Sequence, residues 1–256
     1  MNMESMRAWV SAAEREGLND IVWPASIHVQ QGVTYCLTSK LASEQLVIIS
    51  GGKQGTGSFS GTEVAAGERR YLFCPLNRKN ADTIRQLFPF TAPVAVGKTS
   101  DSFGVGDRLG IASTGHLRLF TRTAMIPVLA QQSLRELDLT GRNYADVIDA
   151  ATWAVFRSGY IGRWVADGDH LKFAEDAVSA LKQGCTMITA DLSDHIRYDY
   201  VDMNEEQLLQ AYSALDEEYR KAIEERYSGE ISIGKSCNLN FSPVERARTV
   251  LVYRGA

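Results

Sequence analysis

Four side chains that can take part in acid–base or metal chemistry lie within six positions of the segment GRWVADGDHLK, residues 162–172. They are Asp167, Asp169, His170 and Lys172, and they follow the apolar run 164–166. A buried strand that ends at a polar opening produces this pattern. Ligands of parallel α/β folds bind at the carboxyl ends of strands, so the segment predicts a site. A solvated Asp–Gly turn before a helix would account for the same residues.

The same pattern occurs again along the chain, which favours the interpretation as a site. The apolar run 186–190 is followed by DLSDH at residues 191–195, and the run 125–130 is followed by Gln131, Gln132 and Glu136. Alternating strands and helices are typical of a TIM-like (β/α) barrel or of a doubly wound sheet, and strand ends that all carry polar clusters favour the barrel, where several strands contribute to one face. We therefore predict an α/β fold of this type.

Helices between these strands are predicted from hydrophobic spacing and end signals. The spacing predicts helices over residues 143–158, 173–182 and 204–227, with Gly159 and Gly184 ending the first two and Asn204 capping the third. The first third differs, with predicted strands at 26–29, 34–38 and 45–50 and a helix over 80–88 capped by Asn80. Pro89 and Pro93 mark the connection, which predicts an N-terminal α/β subdomain over residues 1–95 and barrel units over residues 96–256.

Composition excludes several classes of function. The chain has 256 residues, 45% hydrophobic and 23% charged, with a net charge of -4 and dispersed Lys and Arg, so neither a nucleic-acid nor a membrane surface is indicated. Apolar runs stay well short of the ~18 residues of a membrane span. Residues 1–17 form an amphipathic helix pattern unlike a signal peptide, so we expect a cytoplasmic protein. The glycine segments at 51–61 and 97–100 lack the spacing of nucleotide-binding loops.

Five segments of the chain resemble one enzyme family. They are WPASIHVQQGVTY at 23–35, FGVGDRLGIASTGH at 103–116, AQQSLRELDLTGR at 130–142, ADGDHLK at 166–172 and TADLSDH at 189–195. In content, order and spacing they are similar to the tagaturonate epimerase family, including relatives that act as tagatose 4-epimerases. Family members are roughly twice this length, so the resemblance implies that the chain corresponds to the amino-terminal half and to the first half of a barrel.

The resemblance implies an isomerase that interconverts D-tagaturonate and D-fructuronate, or the corresponding ketohexoses, with a divalent metal such as Zn, Mn, Co or Ni. The hydrogen on the inverted carbon is β to the ketone and is not acidic enough for direct abstraction. Either retro-aldol cleavage and re-closure or migration of the carbonyl must intervene. Both routes pass through an enediolate that a metal would stabilise, and both need two acid/base groups.

Candidate residues for these roles come from the same clusters. Glu136 and Asp169 are the predicted acid/base pair, although Glu136 also suits a helix first turn and Asp169 a turn. His170 is the predicted metal ligand. Arg108 is predicted to grip the substrate carboxylate beside Asp107, unless the two pair with each other. The remaining predicted substrate contacts are His116, Gln132, Lys172, Asp194 and His195.

Two alternatives stay open at this point. A half-barrel exposes unpaired strand edges, so the chain could be a non-catalytic module that assembles with itself or with a partner half. It could also be an enzyme like the class II aldolases or sugar isomerases, which share the chemistry and differ in substrate. The sequence does not distinguish a uronate from a neutral ketohexose, and it predicts neither the metal nor the oligomeric state.

Overall fold

The structure is a computed structural model that describes residues 21–40, 43–51, 57–97, 101–107, 109–234 and 236–255. The chain divides into two compact units, one up to Ala190 and one from Asp191 onward. The amphipathic helix predicted over residues 1–17 lies outside the described residues. Among the helices that are described, none is long and apolar enough to cross a membrane.

The first unit begins with a six-stranded antiparallel sheet. Its strands are β1 (Ile21–Val22), β2 (His28–Gln30), β3 (Val33–Lys40), β4 (Ser43–Gly51), β5 (Thr62–Ala66) and β6 (Arg69–Pro75), in the order β1-β3-β4-β6-β5 with β2 on β3. Alternate residues such as Leu37 and Ile48 form the buried face beneath the helix that follows. Ser26, predicted in a strand, lies instead in a 3-10 helix, Pro24–Ser26, where its hydroxyl donates to the Trp23 carbonyl at 2.7 Å.

Helix α1 (Arg78–Leu87) packs on this sheet through Ala81 and Ile84. The predicted helix is confirmed, but the prediction that Asn80 caps it is wrong. The cap is Asn77, whose side chain accepts the Asn80 N–H at 3.0 Å. Asn80 lies inside the helix, fully buried, and its amide donates to the Ser60 and Pro75 carbonyls at 2.9 and 2.8 Å. Asn80 thereby joins the helix to the end of the sheet.

A parallel half-barrel sheet follows. Its strands are β7 (Ser102–Gly104), β8 (Ile126–Ser133), β9 (Val165–Leu171) and β10 (Met187–Ala190), paired in chain order as β10-β9-β8-β7. The connecting helices are α2 (Ser113–Phe120), α3 (Leu134–Thr140), α4 (Tyr144–Ser158) and α5 (Ala174–Lys182). The predicted alternation of parallel strands and helices is confirmed. The predicted ends of α4 are confirmed too, since Asn143 caps it and Gly159, with φ 60°, terminates it.

One boundary changes how the site is built. Strand β9 continues to Leu171, so the prediction that the strand ends before Asp167 is wrong. A strand can continue through polar residues when neighbouring groups form hydrogen bonds with their side chains. Side chains alternate between the two faces of a strand, so Asp167 and Asp169 lie on the same face. The carboxyl groups are therefore held by strand pairing rather than by a turn.

The second unit is mainly helical. It contains 3-10 turns at Ser193–His195 and Tyr198–Tyr200, helices α6 (Glu205–Ser213), α7 (Glu217–Tyr227) and α8 (Pro243–Tyr253), and a hairpin of β11 (Glu230–Ile233) and β12 (Cys237–Asn240). Leu208, Ala247 and Leu251 form its core. The single helix predicted over 204–227 is wrong, because Asp216 accepts the Tyr219 N–H at 2.9 Å and starts a second helix. The predicted cap at Asn204 is confirmed.

The four cysteines are unpaired. Cys36, Cys74 and Cys185 are buried, and burial raises the pKa of each thiol to about 12. Cys237, on β12, is exposed.

Candidate active site

The candidate site lies on the face of the half-barrel sheet that carries Val165, Asp167 and Asp169. At the amino end of this face Ile126, Val128 and Val165 are buried against Val96 and Met187. Further along the strands the apolar floor gives way to a polar layer of Gln131 on β8, Asp167 on β9 and Thr189 on β10. The polar groups therefore begin part of the way along the strands and continue toward their carboxyl ends.

Asp167 is the centre of the polar layer and is only 1% exposed. Its Oδ2 atom accepts a hydrogen bond from Thr189 Oγ1 at 2.6 Å and another from Gln131 Nε2 at 3.2 Å. Its Oδ1 atom is buried and has no hydrogen-bond partner among the described residues. Burial raises the pKa of Asp167 and the nearby Asp169 charge acts in the same direction, while the Thr189 and Gln131 hydrogen bonds oppose the rise.

Gln131 and Thr189 were not predicted as site residues, and Asp167 was noted without a role. Only pairing across three strands brings the layer together, because 36 residues separate Gln131 from Asp167 and 22 separate Asp167 from Thr189. The available signal was the hydroxyl of Thr189 near the end of an apolar run, together with the Gln131 amide and the Asp167 carboxyl group, which follow two neighbouring apolar runs.

A β-bulge follows the polar layer. Gly168 pairs with Ile188 and Leu171 pairs with Ala190, so β9 contains one residue more than β10 between these pairs. The extra length falls at Asp169 and His170, and His170 has a φ of 55°. A non-glycine residue in this left-handed region costs about 1–3 kcal/mol, and such strain gathers at functional sites. Bulges redirect side chains next to active sites.

His170 and Asp169 contact each other at the bulge. His170 Nδ1 lies 2.8 Å from Asp169 Oδ2, with the histidine side chain 64% exposed and the aspartate 16% exposed. When Nδ1 carries the proton that Asp169 accepts, Nε2 is the nitrogen that can bind a metal ion or accept a proton. The predicted catalytic carboxylate and the predicted metal ligand are therefore neighbours in space as well as in sequence.

Glu136 is largely buried in the first turn of α3, the helix that directly follows β8. Its carboxylate accepts the Ser133 N–H at 3.1 Å, which completes the start of the helix. Ser133 is the last residue of β8 and the register partner of Asp169, so the strand end that Glu136 holds lies beside the bulge. The structure gives Glu136 a capping role, and its role as an acid or base stays a prediction.

Asp107 organises the loop between β7 and α2. Its carboxylate accepts N–H groups from Gly110 at 2.9 Å, Ala112 at 2.5 Å and Ser113 at 3.0 Å. Burial acts to raise the pKa of Asp107, but these backbone hydrogen bonds outweigh it and hold the pKa below its usual value. Asp107 therefore shapes the loop, and a contact with substrate stays a prediction. Arg108, its predicted partner, lies outside the described residues.

Gln132 joins that loop to the sheet. It is fully buried, and its Nε2 donates to the Asp107 carbonyl at 2.8 Å, while its Oε1 has no partner among the described residues. The structure thus brings Gln132 and Asp107 together.

The other predicted contacts lie on α2, just after β9 and on a 3-10 turn of the second unit. His116 lies on α2 with its Nδ1 buried and without a described partner, and Lys172 is exposed just after β9. Asp194 and His195 belong to the second unit, where both are exposed on a 3-10 turn.

The donors near His170 do not make a complete metal site by themselves. Within the described parts of the chain, no group of three or more His, Cys, Asp or Glu side chains is arranged to hold a metal ion. Catalytic metal sites usually have three or more protein ligands. His170 and Asp169 offer two donors at most, so an ion bound here needs further ligands.

Comparisons with known proteins identify what this arrangement is similar to. The profile of a family described as tagaturonate epimerase matches residues 23–256. A tagaturonate/fructuronate epimerase of Thermotoga maritima is 41% identical over 177 residues, which make up 69% of this chain and 36% of that protein.

Solved structures match over almost the whole chain. The native crystal structure of fructuronate-tagaturonate epimerase UxaE from Cohnella laeviribosi has a TM-score of 0.82 and 36% identity, covering 98% of this chain and 50% of that one. A glycerol complex of the same enzyme gives the same values. The chain thus spans about half the length of these solved relatives.

Proposed function

The chain belongs to the tagaturonate epimerase family, and we propose that it supplies acid/base residues to an active site that interconverts D-tagaturonate and D-fructuronate. The observation that carries the proposal is the bulge on β9, which holds Asp169 and His170 together at the carboxyl end of the parallel sheet. Sites of parallel α/β folds lie at this end. The neighbouring strand β8 leads directly into Glu136, the second group of the proposed pair.

The hydrogen on the carbon to be inverted is not acidic enough to be removed. The proton that is transferred is therefore that of the hydroxyl group on this carbon. In the retro-aldol route, Asp169 accepts the proton of the hydroxyl on the carbon to be inverted, and that carbon becomes an aldehyde as its bond to the neighbouring carbon breaks. The electron pair of the broken bond passes into an enediolate on the fragment that keeps the ketone. Rotation of the aldehyde, re-formation of the bond and return of the proton give the epimer. Glu136 is proposed to assist proton transfer on the other fragment.

A divalent metal ion with His170 Nε2 as one ligand belongs to the same proposal, and no step above depends on it. Support comes from the exposure of His170 and from its contact with Asp169, which fixes the tautomer. Arg108 is proposed to bind the substrate carboxylate with two parallel hydrogen bonds, which would favour a uronate over a neutral ketose.

The four parallel strands are proposed to form half of a TIM-like (β/α) barrel. The support is their pairing in chain order and the TM-score of 0.82 against an epimerase of which this chain covers 50%. A barrel places neighbouring strand ends around one opening, which is the geometry that an acid and a base on two sides of a sugar need.

The test is an assay of the complete product of the gene that encodes this chain, incubated separately with D-tagaturonate and with D-fructuronate. We expect each to give the other and both reactions to reach one equilibrium ratio by chromatography or NMR. In deuterium oxide, the retro-aldol route leaves the hydrogen on the inverted carbon unexchanged, whereas carbonyl migration replaces it. Failure to convert either uronate would overturn the proposed activity.

A further inference from the structure

Strand β7 presents bare backbone to the polar layer beside Gln131. A methyl group added at Gly104, on β7, would lie 2.5 Å from Gln131 Oε1, and one added at Gly106, just beyond the strand, would lie 2.8 Å from the Gln131 carbonyl oxygen. Both positions therefore face β8 on the side that carries the Gln131 amide. Neither glycine has a positive φ, so the close approach of β8, rather than the backbone conformation, accounts for the missing side chains.

The Gln131 amide is held in one orientation. Its Nε2 donates to Asp167 Oδ2 at 3.2 Å, and Thr189 Oγ1 donates to the same oxygen at 2.6 Å. An oxygen that accepts hydrogen bonds takes the NH2 group of a glutamine rather than its carbonyl, so the nitrogen faces β9 and Oε1 faces β7. Gln131 is half-buried, Gly104 is exposed, and no described residue donates a hydrogen bond to Oε1. The layer thus holds one acceptor atom open toward β7.

Resting on the proposed function, we infer that Gln131 Oε1 and the backbone of Gly104 form a substrate subsite, in which Oε1 accepts a hydrogen bond from a hydroxyl group of the sugar chain. Glycine at position 104 lets a ligand approach the backbone closely. Asp167 and Thr189 act through Gln131, because their hydrogen bonds fix the direction of its amide, and they are positioning residues.

The subsite lies within reach of a substrate bound at Asp169. Gln131 pairs with Asp167 and Ser133 pairs with Asp169, so the amide lies two residues, about 7 Å, from Asp169 along the strands. A six-carbon sugar acid carries hydroxyl groups on successive carbons and spans this separation, so one hydroxyl reaches Oε1 while another lies at Asp169. Oε1 has no hydrogen to offer a carboxylate, so the subsite selects the hydroxyl-bearing part of a uronate.

Gly104→Ala tests the subsite with little effect on folding. The added methyl group meets the end of the flexible Gln131 side chain, so the amide moves aside while β8 stays in place. Gly106→Ala differs, because its methyl group meets the backbone carbonyl of Gln131 and disturbs the strand. Gly115→Ala on α2, where an added Cβ meets nothing within 4 Å, is the matched control. Gln131→Met keeps the length of the side chain and removes Oε1, and it decides the matter if Gly104→Ala does not fold.

Isothermal titration calorimetry of the complete gene product measures binding of the hexonates obtained by reducing the ketone of D-tagaturonate. These probes keep the hydroxyl groups and cannot undergo retro-aldol cleavage. Gly104→Ala and Gln131→Met should weaken binding about 3- to 15-fold, and Gly115→Ala should not. Among hexonates that each lack one hydroxyl, one should bind the wild type more weakly and lose nothing further in Gly104→Ala. Equal losses on every analogue, or unchanged affinity in the variants, would rule out the subsite.

Steady-state kinetics separate this contact from a role in the chemistry. A hydroxyl contact away from the inverted carbon is made equally before and during the reaction, so Gly104→Ala should raise KM for both uronates and leave kcat within about threefold. A fall in kcat at unchanged KM would show that Gln131 acts on the reacting groups and does not bind the hydroxyl.

The two proposals fail in different ways. Wild-type protein that binds the hexonates in the expected pattern but converts neither uronate refutes the proposed function and leaves the subsite as a binding site. Conversion of both uronates by the wild type, with an unchanged KM in Gly104→Ala and in Gln131→Met, refutes the subsite alone.

Discussion

Gly168 lies so close to Ala180 that a methyl group on Gly168 would come within 2.9 Å of the Ala180 Cβ atom. Helix α5 therefore contacts β9 at the residue between Asp167 and Asp169. The same methyl group would also lie 3.1 Å from side-chain atoms of Ile188 and Leu171. Close approach of the helix is what requires glycine here, and it fixes the strand segment that carries both carboxyl groups.

Substitution Gly168→Ala should lower the free energy of unfolding by about 1–3 kcal/mol, because the added methyl group overpacks a buried contact. Turnover should fall as well, since relief of the clash displaces the strand beneath Asp169. The matched control is Gly115→Ala on α2, where an added Cβ meets nothing within 4 Å. Urea unfolding followed by circular dichroism measures both variants, and equal stability of the two would contradict the packing argument.

Asp149 on α4 forms ion pairs with two arginines of α1, Arg78 and Arg85. It accepts a hydrogen bond from Arg85 Nη1 at 2.9 Å and contacts Arg78, and the Arg85 and Asp149 side chains are 15% and 12% exposed. Asp149→Asn should cost about 1.5–3 kcal/mol of stability, since it weakens charged hydrogen bonds that are largely shielded from water. Glu63→Gln, which removes an exposed ion pair with Arg70, should cost less than about 1 kcal/mol. Thermal unfolding of both variants makes the comparison, and similar losses would show that burial does not strengthen the Asp149 pair.

His28 should make the fold sensitive to acid. Its ring lies among those of Phe88, Phe90 and Phe156, with centroids 4.9 to 5.4 Å away, and burial lowers its pKa below the usual histidine value of 6.5. The unfolded chain therefore binds the proton more readily, so the stability contributed by neutral His28 is complete above pH 6.5 and is lost as the pH falls through the folded-state pKa. His28→Phe should flatten this part of the stability profile between about pH 7.5 and 5. A decline of equal slope in the variant would assign the acid sensitivity to other groups.

Glu136→Gln and Asp169→Asn should each lower turnover about 10²- to 10⁴-fold, because both keep the shape of the side chain and remove proton transfer. Glutamine can still accept the Ser133 N–H, so the start of α3 should persist in the first variant. The exposed Asp138→Asn on the same helix is the control and should be nearly normal. Near-normal turnover of Glu136→Gln would leave Glu136 with its capping role alone, and loss of bound metal in Asp169→Asn would make Asp169 a ligand rather than a base.

Local signals in the sequence were sufficient for much of the fold. Asn143 and Gly159 bound α4 as predicted, because capping and helix termination depend on a few adjacent residues. The apolar runs of β8 to β10 separated by helical spacing predicted parallel strands in chain order. The break between α6 and α7 was missed although Asp216, followed by Glu217 and Glu218, carries a helix-start signal.

The finer structure of the site depends on pairing that no single segment encodes. The bulge at Asp169 and His170 exists only relative to β10, so the sequence of β9 alone predicts a simple strand end. The contacts of Asp167 come from Gln131 and Thr189 on other strands. The carboxylate of Asp107 accepts four backbone N–H groups of its own loop, a role that the sequence does not indicate because it depends on the backbone conformation.

The distribution of the cysteines makes the chain directly suitable for site-specific labelling. Thiol-selective reagents attack the thiolate, which is scarce at Cys36, Cys74 and Cys185 because these side chains are buried and their pKa values are about 12. Cys237 is exposed on a two-stranded hairpin of the second unit. A maleimide fluorophore or spin label should therefore attach at one position of the wild-type chain, so that the second unit can be followed spectroscopically without first replacing any cysteine.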